Sequence, residues 1–218
     1  MHTKSIATGQ RKGVKWTSTA RGPHRKARSI PLVKVVRDIL KYADNTKEAK
    51  RIIQSQKVLV DKRPIRDHKF GVGLMDVVEI PENKKHFIVL AGEKGLHLKE
   101  VTAQDSKHKL CKVVGKKVVG KNKVQYNFHD GSNIISDKGY RVGDTVVVEL
   151  PQRKPVEHIE YKKGVDVVVV QGRHTTAHGT VDEIEEGTTT RKSLTRIGDV
   201  KTLTEYVFPL GKHKALIE

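Results

Sequence analysis

The chain is poor in the residues and patterns that redox, metal and small-molecule chemistry use. It has one cysteine, Cys111, among 218 residues. An internal disulfide and a CxxC-type zinc site are therefore excluded, and the usage suits a reducing compartment. Aromatic residues are few, at one Trp, five Tyr and four Phe. They do not cluster, so a sheet that reads RNA by stacking bases is not expected. Apolar runs such as Val167–Val170 stop far short of the ~20 residues that cross a membrane. The N-terminus lacks the apolar stretch of a secretory signal. Ile6, Val14 and Trp16 stand too far apart to form the stripe of a transit peptide.

Catalytic patterns are missing as well. There is no P-loop lysine pattern and no GxSxG elbow. Gly71-Val72-Gly73 lacks the third glycine and the following helix of a dinucleotide fingerprint. His174 and His178 are four apart in a glycine-bounded loop, with Thr175 where a zincin needs Glu. Asp182, Glu183, Glu185 and Glu186 read as a solvated strand end rather than a Mg²⁺ site. No enzyme, cofactor, metal or small-molecule substrate is expected.

Positive charge is abundant. The formal net charge is +18, from 43 Lys+Arg against 25 Asp+Glu. Acid is absent before Asp38, while ten cations fall between Met1 and Arg37. Such a block repels itself and stays open until a polyanion neutralises it. Nucleic acid is the polyanion this pattern points to. An anionic membrane surface would require a basic amphipathic helix, which residues 1–28, with Gly9, Gly13, Gly22 and Pro23, do not make.

After Arg21-Gly22-Pro23-His24 the period changes. Leu32, Val36, Ile39, Leu40 and Ala43 fall at helical spacing and predict a helix over Pro31–Tyr42. Asn45-Thr46-Lys47-Glu48 has the form of a capping box and predicts a second helix with Ala49, Ile52 and Ile53 inward. Val58–Val60 and Met75–Ile80 read as strands, and Asp61–Pro64 as a turn. Beyond Glu82 the chain is strand-rich. The repeated units Lys112–Lys116 and Lys117–Lys121 suggest a hairpin, and Pro151–Pro155 a linker. Strands are expected at Val165–Val170, Val181–Ile184 and Tyr206–Phe208, with a polar tail from Gly211.

Two cation stripes lie on the predicted helices: Lys34, Arg37 and Lys41 on the first, and Lys47, Lys50 and Arg51 with Gln54 on the second. One stripe alone is an ordinary solvated face. Two on consecutive helices, directly after a basic arm, point to a phosphate-binding surface.

These landmarks carry a family resemblance. Arg21-Gly22-Pro23-His24, Ile30-Pro31-Leu32 and Leu40-Lys41-Tyr42-Ala43 resemble the archaeal and eukaryotic ribosomal protein S4e family. So do Phe70 with Met75-Asp76-Val77, which is similar to the family's F-x-x-G-x-M-D-V stretch, Leu110-Cys111-Lys112-Val113 and His129-Asp130-Gly131. Pro31–Ile80 resembles an αL-type RNA-binding module, and Lys163-Gly164 to Ile184 a KOW motif. In that loop Thr176 and Ala177 stand where the family usually has an inner glycine and a basic residue. The resemblance implies an α+β, mostly β fold. Its parts would be a basic arm over 1–29, an αL-type module over 30–81, a β-rich central domain over 82–155, a small β-barrel-like KOW domain over 156–211 and a tail over 212–218.

The resemblance also implies a structural constituent of the small ribosomal subunit, acting in translation in the cytoplasm. Its partners would be small-subunit ribosomal RNA and neighbouring ribosomal proteins, without a membrane. Bacteria lack the family, so the source would be archaeal or eukaryotic, and the short C-terminus favours archaeal. The RNA-binding residues would be Arg11 and Lys12 on the arm, Arg25, Lys26 and Arg28 at its end, and Lys34 and Arg37 on the first helix. Lys47, Lys50, Arg51, Lys57 and Arg63 would follow, with Arg173 and His174 in the KOW loop. An RNA-modifying enzyme that borrows the module would need a catalytic domain, and no stretch supplies one. A transcription or translation factor with a KOW domain is the other alternative.

With this charge and so few rings, RNA binding should depend steeply on salt. If ~6–10 phosphates are neutralised, affinity should fall ~10³–10⁵-fold between 50 and 200 mM salt on the duplex-DNA scale, and less on single strands. A nearly flat response in filter binding would contradict this.

Overall fold

The computed structural model describes residues 18–120 and 123–216, with side chains to His213. The fold is mostly β with two short helices, and it divides into two compact units. One runs up to Lys109 and includes Leu150–Gln152; the other comprises Leu110–Glu149 and the chain from Arg153 onward.

The first unit contains β1 (Ser29–Pro31), α1 (Leu32–Lys34), α2 (Thr46–Gln54), β2 (Leu59–Val60), β3 (Arg63–Pro64), β4 (Gly71–Gly73), β5 (Val77–Ile80), β6 (Lys85–Gly92) and β7 (Gly95–Val101). β1 pairs with β4, and the other strands form a sheet in the order β3-β2-β5-β6-β7. The core joins Leu32, Val35 and Val36 to Ala49 and Ile53, and to Val60, Val78 and Val89 of the sheet.

α2 forms where the capping residues predict it. The Asn45 side chain accepts from the Glu48 N–H at 2.9 Å. Glu48 reaches back to the Asp44 N–H at 3.0 Å, one residue beyond the usual box. The first predicted helix is shorter than Pro31–Tyr42. Pro31 belongs to β1, and α1 widens into a π turn over Val35–Ile39. That winding, with the Leu40 N–H bonded to the Val35 carbonyl at 2.9 Å, shifts the inward face to adjacent Val35 and Val36. Ile39, expected inside, is 40% exposed. The expectation that the basic block up to Arg37 stays open fails over its described part. Ala20 and His24 are buried, and the Arg21 N–H donates to the Lys69 carbonyl at 2.8 Å. Residues 1–17 lie outside the described part.

A buried ionic cluster ties this unit together. Lys109 is 1% exposed, and its Nζ donates to Asp61 Oδ2 at 2.6 Å and to Asp76 Oδ1 at 2.7 Å. His24 Nε2 lies 2.9 Å from Asp76 Oδ2. Asp76 Oδ2 also accepts from the Gly73 N–H at 2.8 Å, and Asp61 Oδ1 from the Val77 N–H at 3.1 Å. Asp61 and Lys62 have φ of 52° and 64°, the left-handed pair of a two-residue hairpin turn closed by Val60 opposite Arg63. Side chains occupy a place that glycine would fill without strain because both are used: Lys62 pairs with buried Glu79 and donates to Ser106 Oγ at 3.0 Å. Gly73 is required for a different reason. A Cβ there would lie 2.3 Å from His24 Nδ1. Met75 is also left-handed, at φ 62°, so the expected strand over Met75–Ile80 begins only at Val77.

The second unit takes up β8 (His108–Val118), which starts at the end of the first, and adds β9 (Val124–Phe128), β10 (Asn133–Ser136), β11 (Thr145–Glu149) and β12 (Lys154–Ile159). They form one sheet in the order β10-β9-β8-β11-β12, packed on Cys111, Val113, Tyr126, Phe128, Tyr140 and Val146. The two Lys-Val-Val-Gly units do not face each other across a hairpin. The first lies within β8, and the second begins in the same strand, which ends at Val118. Pro151–Pro155 is no linker. Val148 pairs with Pro155 and Glu149 with Lys154, so the segment closes the β11–β12 hairpin. Val156, expected to open a new unit, lies in β12.

The chain continues with β13 (Asp166–Val169), β14 (His178–Thr180), β15 (Glu183–Glu185), β16 (Leu194–Ile197), β17 (Val200–Leu203) and β18 (Val207–Pro209). Two three-stranded sheets result, β14-β13-β18 and β15-β16-β17. Of the strand expected at Val181–Ile184, only Glu183 and Ile184 lie in a strand, β15, while Val181 and Asp182 connect it to β14 in the other sheet. Buried Val181 sits at the break, packed with Val167, Val169, Ile197 and Val207. Thr176, which stands where the resemblance expects an inner glycine, has φ 79°, a backbone shape that favours glycine. The expected polar tail begins instead as a 3₁₀ turn over Gly211–Leu216.

The cluster has a testable asymmetry. Burial pushes the Asp61 carboxyl up, and Asp76 adds to that push against Lys109. Burial also pushes Asp76 up, but Lys109, His24 and the Gly73 N–H outweigh it, so its net shift is downward. Asp76 thus contributes stability that is present above the unfolded value of ~3.9 and is lost as pH falls through its depressed folded value. Asp61 has the opposite sign: its contribution is present below that unfolded value and is lost as pH rises through its raised one. In urea unfolding at pH 7, Asp76→Asn should therefore cost more than Asp61→Asn, with the gap closing in acid. Lys109→Met should cost about 3–5 kcal/mol, because it leaves two buried carboxylates without their cation. A cost below about 1 kcal/mol would show the cluster to be incidental.

Candidate nucleic-acid interface

The predicted stripe on α2 forms. Ala49 and Ile53 are fully buried on one side. On the other, Lys47 and Arg51 are exposed and Lys50 is half-buried. Placing acid in the first turn and Arg51 in the last suits the helix dipole.

Lys50 does not stand alone. It lies beside His68, in the loop that leads into β4. That loop is fixed by its backbone. The Val33 N–H donates to the His68 carbonyl at 3.0 Å, and the Gly71 N–H to the Arg21 carbonyl at 2.6 Å. Arg21 bridges Phe70 in a parallel pairing. The result is that Lys50 from α2, Lys69 from the loop and Arg21 from the N-terminal segment act on one imidazole. Burial lowers the His68 pKa first; Lys50, Lys69 and Arg21 lower it further, and Asp67 only partly opposes them. Positive potential is thus concentrated where three chain segments meet, the arrangement that a phosphate neutralises.

The sequence pattern missed Arg21, His68 and Lys69 as members of this site. Their grouping rests on pairings across about fifty residues, such as Arg21 with Phe70, and periodicity carries no trace of those. The neighbouring F-x-x-G-x-M-D-V resemblance was the only local signal near Lys69.

The other predicted residues are distributed. Arg25, Lys26 and Arg28 are exposed around a 3₁₀ turn before β1. Lys34 is half-buried on α1. Arg37 is largely consumed: Nε and Nη2 donate to Asp38 at 2.5 and 3.0 Å, and Nη1 to Thr46 Oγ1 at 2.5 Å. Its hydrogen bond to Asp38 raises its pKa further, and its role is to clamp the π turn to the start of α2. Lys57 pairs with Glu82 at 2.8 Å. Arg63 is exposed on β3. Arg173 and His174 are exposed in the loop between β13 and β14 of the second unit. Arg11 and Lys12 lie outside the described residues. Among the described residues no group of three or more His, Cys, Asp or Glu is placed to hold a metal, and no helix is long and apolar enough to cross a membrane.

Comparison with known proteins bears on both units. Residues 83–155 match the profile described as ribosomal family S4e, and residues 30–78 match an S4 domain. The small ribosomal subunit protein eS4 of Methanothermobacter thermautotrophicus is 40% identical over 216 residues, covering 94% of this chain and 88% of that protein. Its counterpart from Archaeoglobus fulgidus is 36% identical over 208 residues, covering 93% and 87%. The crystal structure of the 30S ribosomal protein S4e from Thermoplasma acidophilum superposes with a TM-score of 0.75 at 34% identity, covering 86% of this chain and 97% of that one.

The clustered charge can be read directly from His68. In an NMR titration its pKa should lie below the ordinary histidine value. Lys50→Ala should move it upward, since removing a cation favours the imidazolium. A His68 pKa that ignores Lys50 would separate the imidazole from the proposed site.

Proposed function

From the premise that this chain belongs to the ribosomal S4e family, we propose that it is a structural constituent of the small ribosomal subunit that binds ribosomal RNA and stabilises its fold in the cytoplasmic ribosome. The observation that carries the RNA-binding surface is the outer face of α2, where Lys47, Lys50 and Arg51 lie opposite buried Ala49 and Ile53 inside the S4-domain stretch, with the cations of the neighbouring segments acting on His68 beside it. A structural role needs no reacting group. It needs cations on rigid elements, spaced to meet phosphates, and a backbone held firmly enough that binding does not first have to order it.

The αL-type reading of this region is supported by α1 and α2 packed on β2, β5 and β6. Phosphates would meet Lys47, Lys50 and Arg51 from α2, with Arg25, Lys26 and Arg28 beside β1. Lys34, Lys57 and Arg63 belong to the wider field, and Arg37 contributes mainly by holding the helices. The acid-free arm, with Arg11 and Lys12, would thread along RNA. The KOW reading is supported by the strand–loop–strand order of β13, the Gly172–Ala177 loop and β14. Arg173 and His174 are that loop's exposed polar side chains. Neighbouring ribosomal proteins would meet what RNA leaves uncovered.

A structural constituent should remain in ribosomal particles through a high-salt wash, whereas a transient factor would be released. Within the chain, Lys47, Lys50 and Arg51 changed together to Glu should leave the fold intact, because Ala49 and Ile53 are untouched; acid at Lys47 suits the start of the helix, and acid at Arg51 in its last turn costs only about 0.3–1 kcal/mol. RNA affinity should fall sharply, and by more than it does in a charge-matched triple at Lys94, Lys138 and Lys154. Equal losses in the two triples would mean that only net charge matters. Parent-like binding by the helix triple would make the stripe an ordinary solvated face.

A further inference from the structure

The second unit carries a cationic element that neither predicted helix stripe includes. Between Asp105 and Asp130 the chain has seven lysines and no acid. The described residues of this stretch build β8 and β9. The first half of β8 is anchored: Leu110, Cys111 and Val113 are buried, and the Val113 N–H donates to the Asp144 carbonyl at 2.8 Å. Gly143 returns a bond to the Val113 carbonyl at 3.0 Å. Because β11 runs antiparallel from there, its pairing with β8 ends at this point. Among the described residues, Gly115 to Val118 of this strand pair with β9 alone, and the other edge has no strand partner there.

The burial pattern agrees. A strand on a core normally covers every second residue. Here Lys116, Lys117 and Val118 are exposed in succession, followed by Val119 and Gly120. Val118 is 72% exposed and Val119 55%. Lys123 is exposed where the chain returns. Among the described residues, none of Lys116, Lys117 and Lys123 is paired with an acid.

We propose that this β8–β9 hairpin end is a second RNA-contacting element, with Lys116, Lys117 and Lys123 on phosphates and Val118 and Val119 against the sugar and base edges between them. The proposal rests on the ribosomal reading above. It commits to RNA rather than to a protein neighbour because of charge: Lys116 and Lys117 are exposed on the edge strand of the three-stranded stretch β8-β9-β10, and Lys123 is exposed where the chain returns, so one sheet edge presents cations without acid, which suits a polyanion. Lysines on an open edge also discourage strand-to-strand pairing between copies, and the test separates the two roles.

The full chain would be bound to small-subunit ribosomal RNA over a range of salt. The variants are Lys116→Gln, Lys117→Gln and Lys123→Gln combined, and a control with Lys94, Lys138 and Lys154 changed to Gln. The hairpin triple should lower the slope of log K against log salt by about one per lost phosphate contact, and by more than the control. It should also lose one patch of hydroxyl-radical protection while the rest persists. Val118→Ser with Val119→Ser should weaken binding while leaving the slope unchanged. If the parent chain fails to bind this RNA, the ribosomal reading itself is wrong. If the parent binds and the hairpin triple keeps its slope and footprint, the proposal is overturned. Self-association of that triple would then assign the lysines to edge protection, and loss of incorporation into reconstituted particles alone would assign the hairpin to a protein neighbour.

Discussion

The first unit depends on one lysine that water does not reach. Transferring an ammonium and two carboxylates into an interior costs several kcal/mol per ion, and only close, fully bonded geometry recovers that cost. Lys109 supplies such geometry to Asp61 and Asp76 at once. Each carboxylate then holds a backbone N–H of the loop beside it. The β2–β3 turn, the β4–β5 loop and the start of β8 are fixed at a common point, and His24 adds the N-terminal segment through Asp76. Removal of Lys109 leaves two buried carboxylates without their shared cation, so the cluster acts as a unit rather than as a sum of pairs.

The interface follows from that anchoring. His24 is three residues past Arg21, and Gly73 gives up a side chain so that the imidazole can lie against it. With the segment held, Arg21 pairs along Phe70 and reaches the neighbourhood of Lys50 and Lys69. A cation on a free tail would pay entropy to meet a phosphate; Arg21 is held in place beforehand. Like charges placed together raise the energy of the unbound protein, and a polyanion relieves it. Burial is the first cause of the lowered His68 pKa, and the neighbouring cations add to it.

Some of this architecture is legible in the residues. The Asn45–Glu48 box and the Ala49/Ile53 spacing mark α2 correctly, because capping and amphipathicity are local. The π turn is not legible, since a widened turn uses the same valines and leucines as an α-turn and betrays itself only in the i→i−5 bond. The β16–β17 hairpin carried a usable signal in Gly198-Asp199 between Ile197 and Val200, a two-residue glycine-containing turn, yet its few apolar residues kept the alternation weak. Pro151–Pro155 reads as a linker because prolines usually punctuate, and pairing with β11 overrides that. Lys109 is the least legible of all: a lysine beside Leu110 and Cys111 reads as a surface residue, and its burial depends on carboxylates 48 and 33 positions away. Family resemblance reached further than local physics, because it carries long-range order that a single chain's periodicity lacks.

The central claim is that a pre-formed cationic seat, built from α2, the His68 loop and the Arg21 segment, lies against RNA phosphates in the assembled subunit. Ultraviolet cross-linking of intact small subunits, followed by peptide mapping, tests it most directly. The account predicts RNA-linked peptides that contain Lys47–Arg51 and His68–Lys69. Recovery of both peptides unlinked, with cross-links confined to other parts of the chain, would contradict it.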